Sequence, residues 1–263
     1  SDHHSLPGLP GIGRRRRVGP IVAGVAGVLA LVLGVGYYVG RPSSSSVAGA
    51  PSAGAPAAPR GSSGPRAVAP SVDGVSCAPV EPQTVAAQPD PARVSAGGLS
   101  YPMPPDPWPA PVTSDFMMPL IASGAVQMVR VAEFRTDGWA AGLMVAELRK
   151  DPAFTSVEQA AKVTAGCLAA TQYTVASMGR TDRLSRATTI GGRPAWVIEA
   201  DLSLKDPGLT ITKELMLLTV VETTAGAYAM FWASIPDVDP DYTSVARACQ
   251  KGLRVGPTAV TAG

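Results

Sequence analysis

The side chains that most often carry out acid–base and nucleophilic chemistry are scarce in this sequence. His3 and His4 are its two histidines. The remainder of the chain therefore cannot form a Ser-His-Asp triad, a Cys-His pair or a histidine-ligated metal site. Glu199 and Asp201 share one face of a predicted strand and could act as a carboxylate pair, but solvated strand positions explain them better. We predict that the protein is not an enzyme.

Three aspartates have the i, i+2, i+4 spacing of calcium-binding loops: Asp237, Asp239 and Asp241. The pattern lacks the central glycine, and Ala248 stands at the twelfth position, where such loops carry a bidentate glutamate. The start of a helix explains the segment better, because it has an acidic cap and Pro240 at the first helical position. We expect neither a metal nor a cofactor.

The chain has three cysteines, Cys77, Cys167 and Cys249. Cys167 and Cys249 each fall on the apolar face of a predicted helix, so we expect a disulfide that joins the two helices. Such a bond would stabilise the fold by roughly 4–5 kcal/mol in the chain-entropy model. The alternative is two independent buried thiols. Cys77 is then left for an intermolecular bond or a free thiol.

Two aromatic residues near the start of the predicted domain are the candidate ligand-binding residues. Tyr101 lies in the predicted opening strand at 98–103, and Trp108 follows in a Pro-rich loop at 102–111. An aromatic side chain in such a loop can line a groove for a lipid or a peptide. We predict that Tyr101 and Trp108 contribute to a ligand site.

Composition divides the chain into five segments. Residues 1–17 are a short polar tail, and residues 18–40 carry no charge. Residues 41–95 are rich in Pro, Ala and Ser, which predicts a disordered linker. Residues 96–256 hold all four tryptophans and most of the regular hydrophobic alternation, so they are the predicted domain. Residues 257–263 are predicted to be a frayed tail.

The uncharged segment 18–40 is long enough to cross the roughly 30 Å hydrocarbon core of a bilayer as one helix. It is too long for the apolar region of a cleaved signal peptide. Four arginines at 14–17 precede it and Arg41 alone follows, which predicts a cytoplasmic N-terminus and an extracytoplasmic domain. Cleavage after residues 48–50 is the alternative, but Pro51 makes that a poor site.

The overall charge argues against nucleic-acid binding. The sequence has 22 basic and 20 acidic side chains, for a net charge of +2. A nucleic-acid-binding domain shows a clear basic excess. We therefore expect protein or lipid partners.

Hydrophobic alternation with a period of two predicts three hairpins. Their strand pairs are 125–134 with 139–148, 184–190 with 193–204, and 211–222 with 227–235. A helix is predicted behind Thr155, whose hydroxyl would form a capping box with Glu158. A second helix follows Asp239. This order predicts an α+β fold, a mostly antiparallel sheet flanked by two helices, preceded by a transmembrane helix and a disordered linker.

Several short motifs resemble the actinobacterial LpqN-type cell-envelope proteins. They are Tyr101-Pro102 with Trp108, the hairpin at 190–196, the strand end at 233–236, and the closing helix that reaches Gly252-Leu253. The resemblance covers roughly residues 98–256. It implies a PsbP-like fold, export to the cell envelope and no catalytic residues. This chain differs because it has a predicted transmembrane anchor where those proteins use a lipid anchor or a cleaved signal.

The resemblance and the predicted anchor together define two functional expectations. The first is a single-pass, non-catalytic adaptor of the cell envelope that associates with a membrane-embedded protein complex. The alternative is a carrier or chaperone that binds a lipid or another apolar ligand in envelope lipid export.

Overall fold

The computed structural model describes residues 69–79, 88, 90–112 and 118–256. These residues form an α+β domain with mostly antiparallel strands and two helices, which confirms the predicted fold class. The predicted membrane segment 18–40 and the tails 1–17 and 257–263 lie outside the described residues. Within the described ranges, no helix combines the length and apolar character needed to cross a membrane.

The elements follow one another in this order along the chain: β1 (Ser71–Val72), β2 (Val75–Ser76), β3 (Arg93–Ala96), β4 (Leu99–Pro102), β5 (Ile121–Ala132), β6 (Trp139–Leu148), α1 (Val157–Thr171), β7 (Ser177–Ile190), β8 (Arg193–Lys205), β9 (Lys213–Thr224), β10 (Ala227–Pro236), α2 (Pro240–Lys251) and β11 (Arg254–Val255). The six long strands form one sheet in the order β5-β6-β10-β9-β8-β7. A second sheet has the order β11-β4-β3, and β1 pairs with β2.

The three predicted hairpins are present as β5–β6, β7–β8 and β9–β10. The turn of the β7–β8 hairpin is Gly191-Gly192, with φ values of +57° and +78°. Two consecutive positive φ values define a type I′ turn, whose twist matches that of the strands it joins, and glycine adopts them without steric cost. The two-residue turn fixes the register, with Ile190 opposite Arg193.

Apolar side chains cover both faces of the central strands, so the sheet separates two hydrophobic cores. Along β10, Met230 belongs to the core under α1, whereas Phe231 belongs to the core under α2 and the β11-β4-β3 sheet. Alternate residues of a strand point to opposite faces, which explains this division. The helices α1 and α2 consequently lie on opposite sides of one sheet.

Both helices begin at capping residues. Asp239 caps α2, with its side chain accepting a hydrogen bond from the Asp241 amide, as the sequence predicts. The predicted capping box of α1 is wrong by one residue, since Ser156 takes the N-cap position and accepts from the Gln159 amide at 3.1 Å. Glu158 instead pairs with Lys162 one turn later, at 2.6 Å.

The predicted linker 41–95 is too long at its C-terminal end. It includes β1, β2 and most of β3, and β3 joins the β11-β4-β3 sheet. Val72 of β1 packs against Gly166 of α1, where a Cβ would lie 3.0 Å from the valine methyl carbons. Elements this short carry little periodicity, and they depend on tertiary contacts, of β1 with α1 and of β3 with β4.

The predicted Cys167–Cys249 disulfide is wrong. Cys167 bonds Cys77, and Cys249 is a free, buried thiol whose Sγ lies 3.7 Å from the Pro102 carbonyl oxygen. The prediction assumed that the two helices pack against each other. They cover opposite faces of the sheet instead, so the sheet stands between Cys167 and Cys249.

Peptide mapping without reduction should recover the Cys77 peptide linked to the Cys167 peptide, with Cys249 alkylated only after unfolding. Burial raises the pKa of the Cys249 thiol to about 11, so the folded protein should resist alkylation there. Cys77→Ser should lower the free energy of unfolding by roughly 4–5 kcal/mol, because 90 residues separate the bonded cysteines. Cys249→Ala is the control that leaves the bond intact. A Cys167–Cys249 peptide would contradict the assignment.

Candidate binding site

An open groove of about 330 Å³ lies between the β7–β8 hairpin and α2. We call it the arginine groove. Helix α2 packs over β9 and β10, so the outer strands of this face stay partly uncovered. The lining residues are Leu184, Arg186, Thr188 and Ile190 of β7, Val197 and Glu199 of β8, Thr219 of β9, and Arg247, Gln250 and Lys251 of α2.

The β7 contribution to the arginine groove follows from strand geometry. Residues 184, 186, 188 and 190 alternate along β7, so their side chains share one face. In the ladder, Arg186 lies opposite Val197 and Leu184 lies opposite Glu199. The β7 side of the groove therefore combines half-buried aliphatic side chains with one exposed arginine.

A bidentate ion pair fixes α2 beside this groove. The Arg247 guanidinium donates to both Glu199 carboxylate oxygens, at 2.6 and 3.0 Å. Hydrogen bonding from Arg247 lowers the pKa of Glu199, and the same bond raises the pKa of Arg247. Gln250 also donates to the Thr219 hydroxyl at 3.0 Å. The groove wall is therefore held to β8 and β9 by polar contacts of defined geometry.

The arginine groove carries an excess of positive charge. Its charged residues are Arg186, Arg247, Lys251 and Glu199, and Glu199 already neutralises Arg247. Arg186 and Lys251 are exposed and form no ion pair with another described residue. Two basic groups beside an apolar floor favour an occupant that has both carboxylates and apolar side chains.

Local sequence patterns do not reveal this site. The alternation of residues 184–190 marks a strand face, but it does not reveal that the face remains open. Arg247 and Lys251 become site residues because α2 covers one particular part of the sheet, which the periodicity of the helix cannot predict.

A second groove, of about 320 Å³, is almost entirely apolar. We call it the proline groove, and it is lined by Pro102, Met103, Pro104, Pro105, Ser244, Val245, Ala248 and Cys249. Close packing positions it, because a Cβ at Gly252 would lie 2.5 Å from the Pro102 ring. One side of this groove is formed by the Pro-rich loop in which the sequence predicts a ligand site.

The two predicted ligand-binding residues do not line either groove. Tyr101 has no exposed surface, donates from its hydroxyl to Gln127 Oε1 at 2.8 Å and meets Phe231 edge to face. Trp108 is 5% exposed and packs edge to face on Tyr242 with 5.9 Å between ring centroids. Both aromatic residues therefore belong to the core under α2, and the proline groove begins at Pro102, the residue after Tyr101.

The Glu199–Asp201 pair has an arginine partner for each carboxylate. Glu199 binds Arg247, and Asp201 forms an ion pair with Arg183 of β7. Each carboxylate is thus engaged in holding neighbouring elements together. The absence of catalysis remains a prediction from the sequence.

A different carboxylate, Glu214, lies buried at the start of β9 with 3% of its surface exposed. It accepts hydrogen bonds from Trp139 Nε1 at 3.0 Å and from the Ser234 hydroxyl, and Ser234 in turn contacts the Tyr173 hydroxyl at 2.8 Å. No basic side chain hydrogen-bonds to it within the described residues. Burial raises the pKa of Glu214 to about 8.

Perturbed carboxylates often mark active sites, but Glu214 is closed off from solvent and its hydrogen bonds join β6, β9 and β10. We assign it to the fold. A sequence signal for it exists, since Glu214 is in phase with the buried residues Met216 and Leu218.

Comparison with protein-family models gives no match, and comparison with curated proteins gives none either. Among solved structures, the chain is similar to cyanobacterial PsbP (CyanoP) from Synechocystis sp. PCC 6803, with a TM-score of 0.40 and 13% identity over 65% of this chain and 97% of that chain. It is also similar to PA94, a protein of unknown function from Pseudomonas aeruginosa, with a TM-score of 0.32 and 11% identity over 55% of this chain and 95% of that one. The strand order and helix packing described above define the architecture of this domain independently of these comparisons.

The buried glutamate predicts a pH-dependent stability. Between pH 4.5 and about 8 the unfolded chain releases the Glu214 proton while the folded chain retains it, so the free energy of unfolding should fall as pH rises through this window. Glu214→Gln should flatten that decline, with Glu133→Gln at an exposed position as the control. Denaturant titrations at several pH values measure the free energy of unfolding of the wild type and of the two variants. A decline of equal slope in Glu214→Gln and wild type would contradict the assignment.

Proposed function

We propose that this protein is a single-pass, membrane-anchored extracytoplasmic adaptor that binds an extended acidic segment of a membrane-embedded protein complex and catalyses no reaction. The observation that carries this proposal is the arginine groove, an open sheet face with an apolar floor and two basic groups that form no ion pair with any residue the structure describes. Such a surface suits an exposed polypeptide, because it can contact apolar and carboxylate side chains along one extended segment.

The charge of the arginine groove supports an acidic occupant. Arg186 and Lys251 lie on opposite walls, one on β7 and one on α2. A basic occupant would meet both of them without compensation, whereas carboxylates would gain two charge-assisted contacts. The aliphatic side chains of Leu184, Ile190 and Val197 offer apolar contacts between them.

The proposed location has independent support. The Cys77–Cys167 disulfide is typical of an oxidising compartment outside the cytoplasm. Residues 18–40 would hold the domain at the membrane, and the Pro-rich segment that follows would separate the two. The sequence resemblance to LpqN-type envelope proteins, with the PsbP-like fold that it implies, favours the same setting.

A photo-activatable residue at Thr188, in full-length protein within native membranes, tests the adaptor function. We expect an adduct with a membrane protein, formed at an acidic segment of that partner. Arg186→Glu combined with Lys251→Glu should reduce the adduct at least about tenfold, since two attractive contacts become repulsive.

Lys205→Glu combined with Lys213→Glu is the matched control, because it reverses two exposed charges outside the groove. Mass spectrometry of the cross-linked peptides identifies the site. Equal adduct yields in both double variants, or an adduct that maps to a basic segment, would contradict the proposal.

The proline groove supports a second candidate function, the binding of a lipid or another apolar ligand. Its lining is apolar apart from Ser244 and Cys249, so an apolar ligand would bury few polar side chains without hydrogen bonds. It is an open groove rather than an enclosed cavity, which favours transient contact with part of a ligand over full sequestration.

Lipid mass spectrometry on full-length protein, purified from native membranes in mild detergent, tests this candidate. Ala248→Glu places a charge in the proline groove and should remove most of the bound lipid, because an unpaired carboxylate is costly beside apolar ligand groups. Thr210→Glu, at an exposed loop position, is the control. Identical lipid profiles in the two variants would exclude the proline groove as the binding site.

A further inference from the structure

We propose that β7 pairs with β7 of a second copy of this chain, so that residues 184–190 of the two copies join their sheets into one. This inference goes beyond the adaptor function, because it concerns the edge of β7 and not the groove on its face. It follows from the edges of the sheet, the direction of the backbone groups and the side-chain pairing that results.

The two edge strands of the central sheet, β5 and β7, differ in whether another segment pairs with their outer side. Along β5, the loop residue Val112 forms a bridge with Val126, with backbone hydrogen bonds of 2.8 and 3.0 Å. Along β7, no strand or bridge within the described residues occupies the outer edge. A long unpaired edge is a template for another strand.

The glycine turn determines which β7 groups face outward. In a hairpin with a two-residue turn, the closing residues Ile190 and Arg193 form a hydrogen-bonded pair, and such pairs recur at every second residue. Thr188 and Arg186 therefore bond to β8. Ser185, Ala187 and Thr189 direct their N–H and C=O groups away from the sheet, and all three are exposed.

The two halves of β7 differ in how well they could accept another strand. The first half carries Arg180, Asp182 and Arg183, and its register shifts between Asp182 and Leu184. Charges and bulges of this kind protect an edge from pairing. The second half, residues 184–190, has a regular register and a single charge, Arg186.

A twofold pairing centred on Ala187 makes this half self-complementary. The outward-facing residues then bond to one another, with Ser185 opposite Thr189 of the second copy and Ala187 opposite Ala187. On the groove face, Leu184 lies opposite Ile190 and Arg186 lies opposite Thr188. Every directly opposed pair is apolar, hydroxyl to hydroxyl, or a charge beside a hydroxyl, so no like charges lie directly opposite each other.

Neighbouring registers are less favourable. Pairing centred on Arg186 would set two arginines directly opposite each other, which is destabilising. Pairing centred on Ser185 would extend into the register shift beyond Leu184, and pairing centred on Thr188 would lose the contact between Leu184 and Ile190. The register centred on Ala187 therefore combines the longest regular segment with compatible side chains.

Cross-linking of full-length protein in mild detergent tests this register. Ser185→Cys and Thr189→Cys proteins, mixed in equal amounts with a short thiol-to-thiol reagent, should give several times more dimer than either protein alone. The opposed residues of the pair lie about 5.5 Å apart, whereas identical residues are offset by four positions, roughly 13 Å along the strand. The native free thiol, Cys249, is buried and should not react.

Sedimentation of full-length Ala187→Pro measures the contribution of the edge. In the wild type, the Ala187 N–H points away from β8. Proline at this position therefore removes no hydrogen bond to β8, and the unfolding midpoint should stay near that of wild type. The dimer dissociation constant should rise at least about tenfold, since two intermolecular hydrogen bonds are lost. Ala187→Lys, which sets like charges face to face, should weaken the dimer while leaving the strand intact.

Three results would overturn the inference. The first is a wild-type protein that stays monomeric at all accessible concentrations. The second is a dimer whose dissociation constant does not change in Ala187→Pro and Ala187→Lys. The third is cross-linking of either cysteine variant alone to the same extent as the mixture.

Discussion

The structure depends on one constraint, that both faces of the central strands are apolar and each needs a cover. Met230 and Phe231 are neighbours on β10, yet they belong to separate cores on opposite sides of the sheet. One helix covers each face, and the β11-β4-β3 sheet shares the second face with α2. The location of both grooves and the connectivity of the cysteines follow from this arrangement.

The candidate surfaces lie where these covers end. Helix α2 is too narrow to span its whole face, so β7 and β8 remain partly open and the arginine groove forms between them. The outer edge of β7 borders the same opening. A second copy paired along that edge through a twofold axis perpendicular to the sheet would place two arginine grooves on the same side of a continuous sheet. Pairing and partner binding would then be compatible, because they use the edge and the face of β7 respectively.

Periodicity predicted what depends on local spacing. The hairpins around Gly138, Gly191-Gly192 and Gly226 are correct, since turn residues and alternation act over a few positions. The Cys167–Cys249 pairing failed because helix periodicity identifies an inner face without saying which side of the sheet it meets. Tyr101 and Trp108 were predicted to contribute to a ligand site, but long-range packing with Phe231 and Tyr242 makes them core residues. The arginine groove joins β7, β8 and β9 with α2, and its opening depends on which part of the sheet α2 covers, so local patterns could not reveal it.

Residue-resolved amide exchange on full-length protein tests most directly whether β7 is the surface at which this domain meets other polypeptides. In dilute protein, the outward amides of Ser185, Ala187 and Thr189 should exchange rapidly, and the amides of Arg186 and Thr188 should be protected by β8. On association, with a second copy at higher concentration or with a partner in native membranes, the outward amides should become protected or the amides around Lys251 should slow. Unchanged exchange throughout β7 and α2, with new protection elsewhere, would contradict the account.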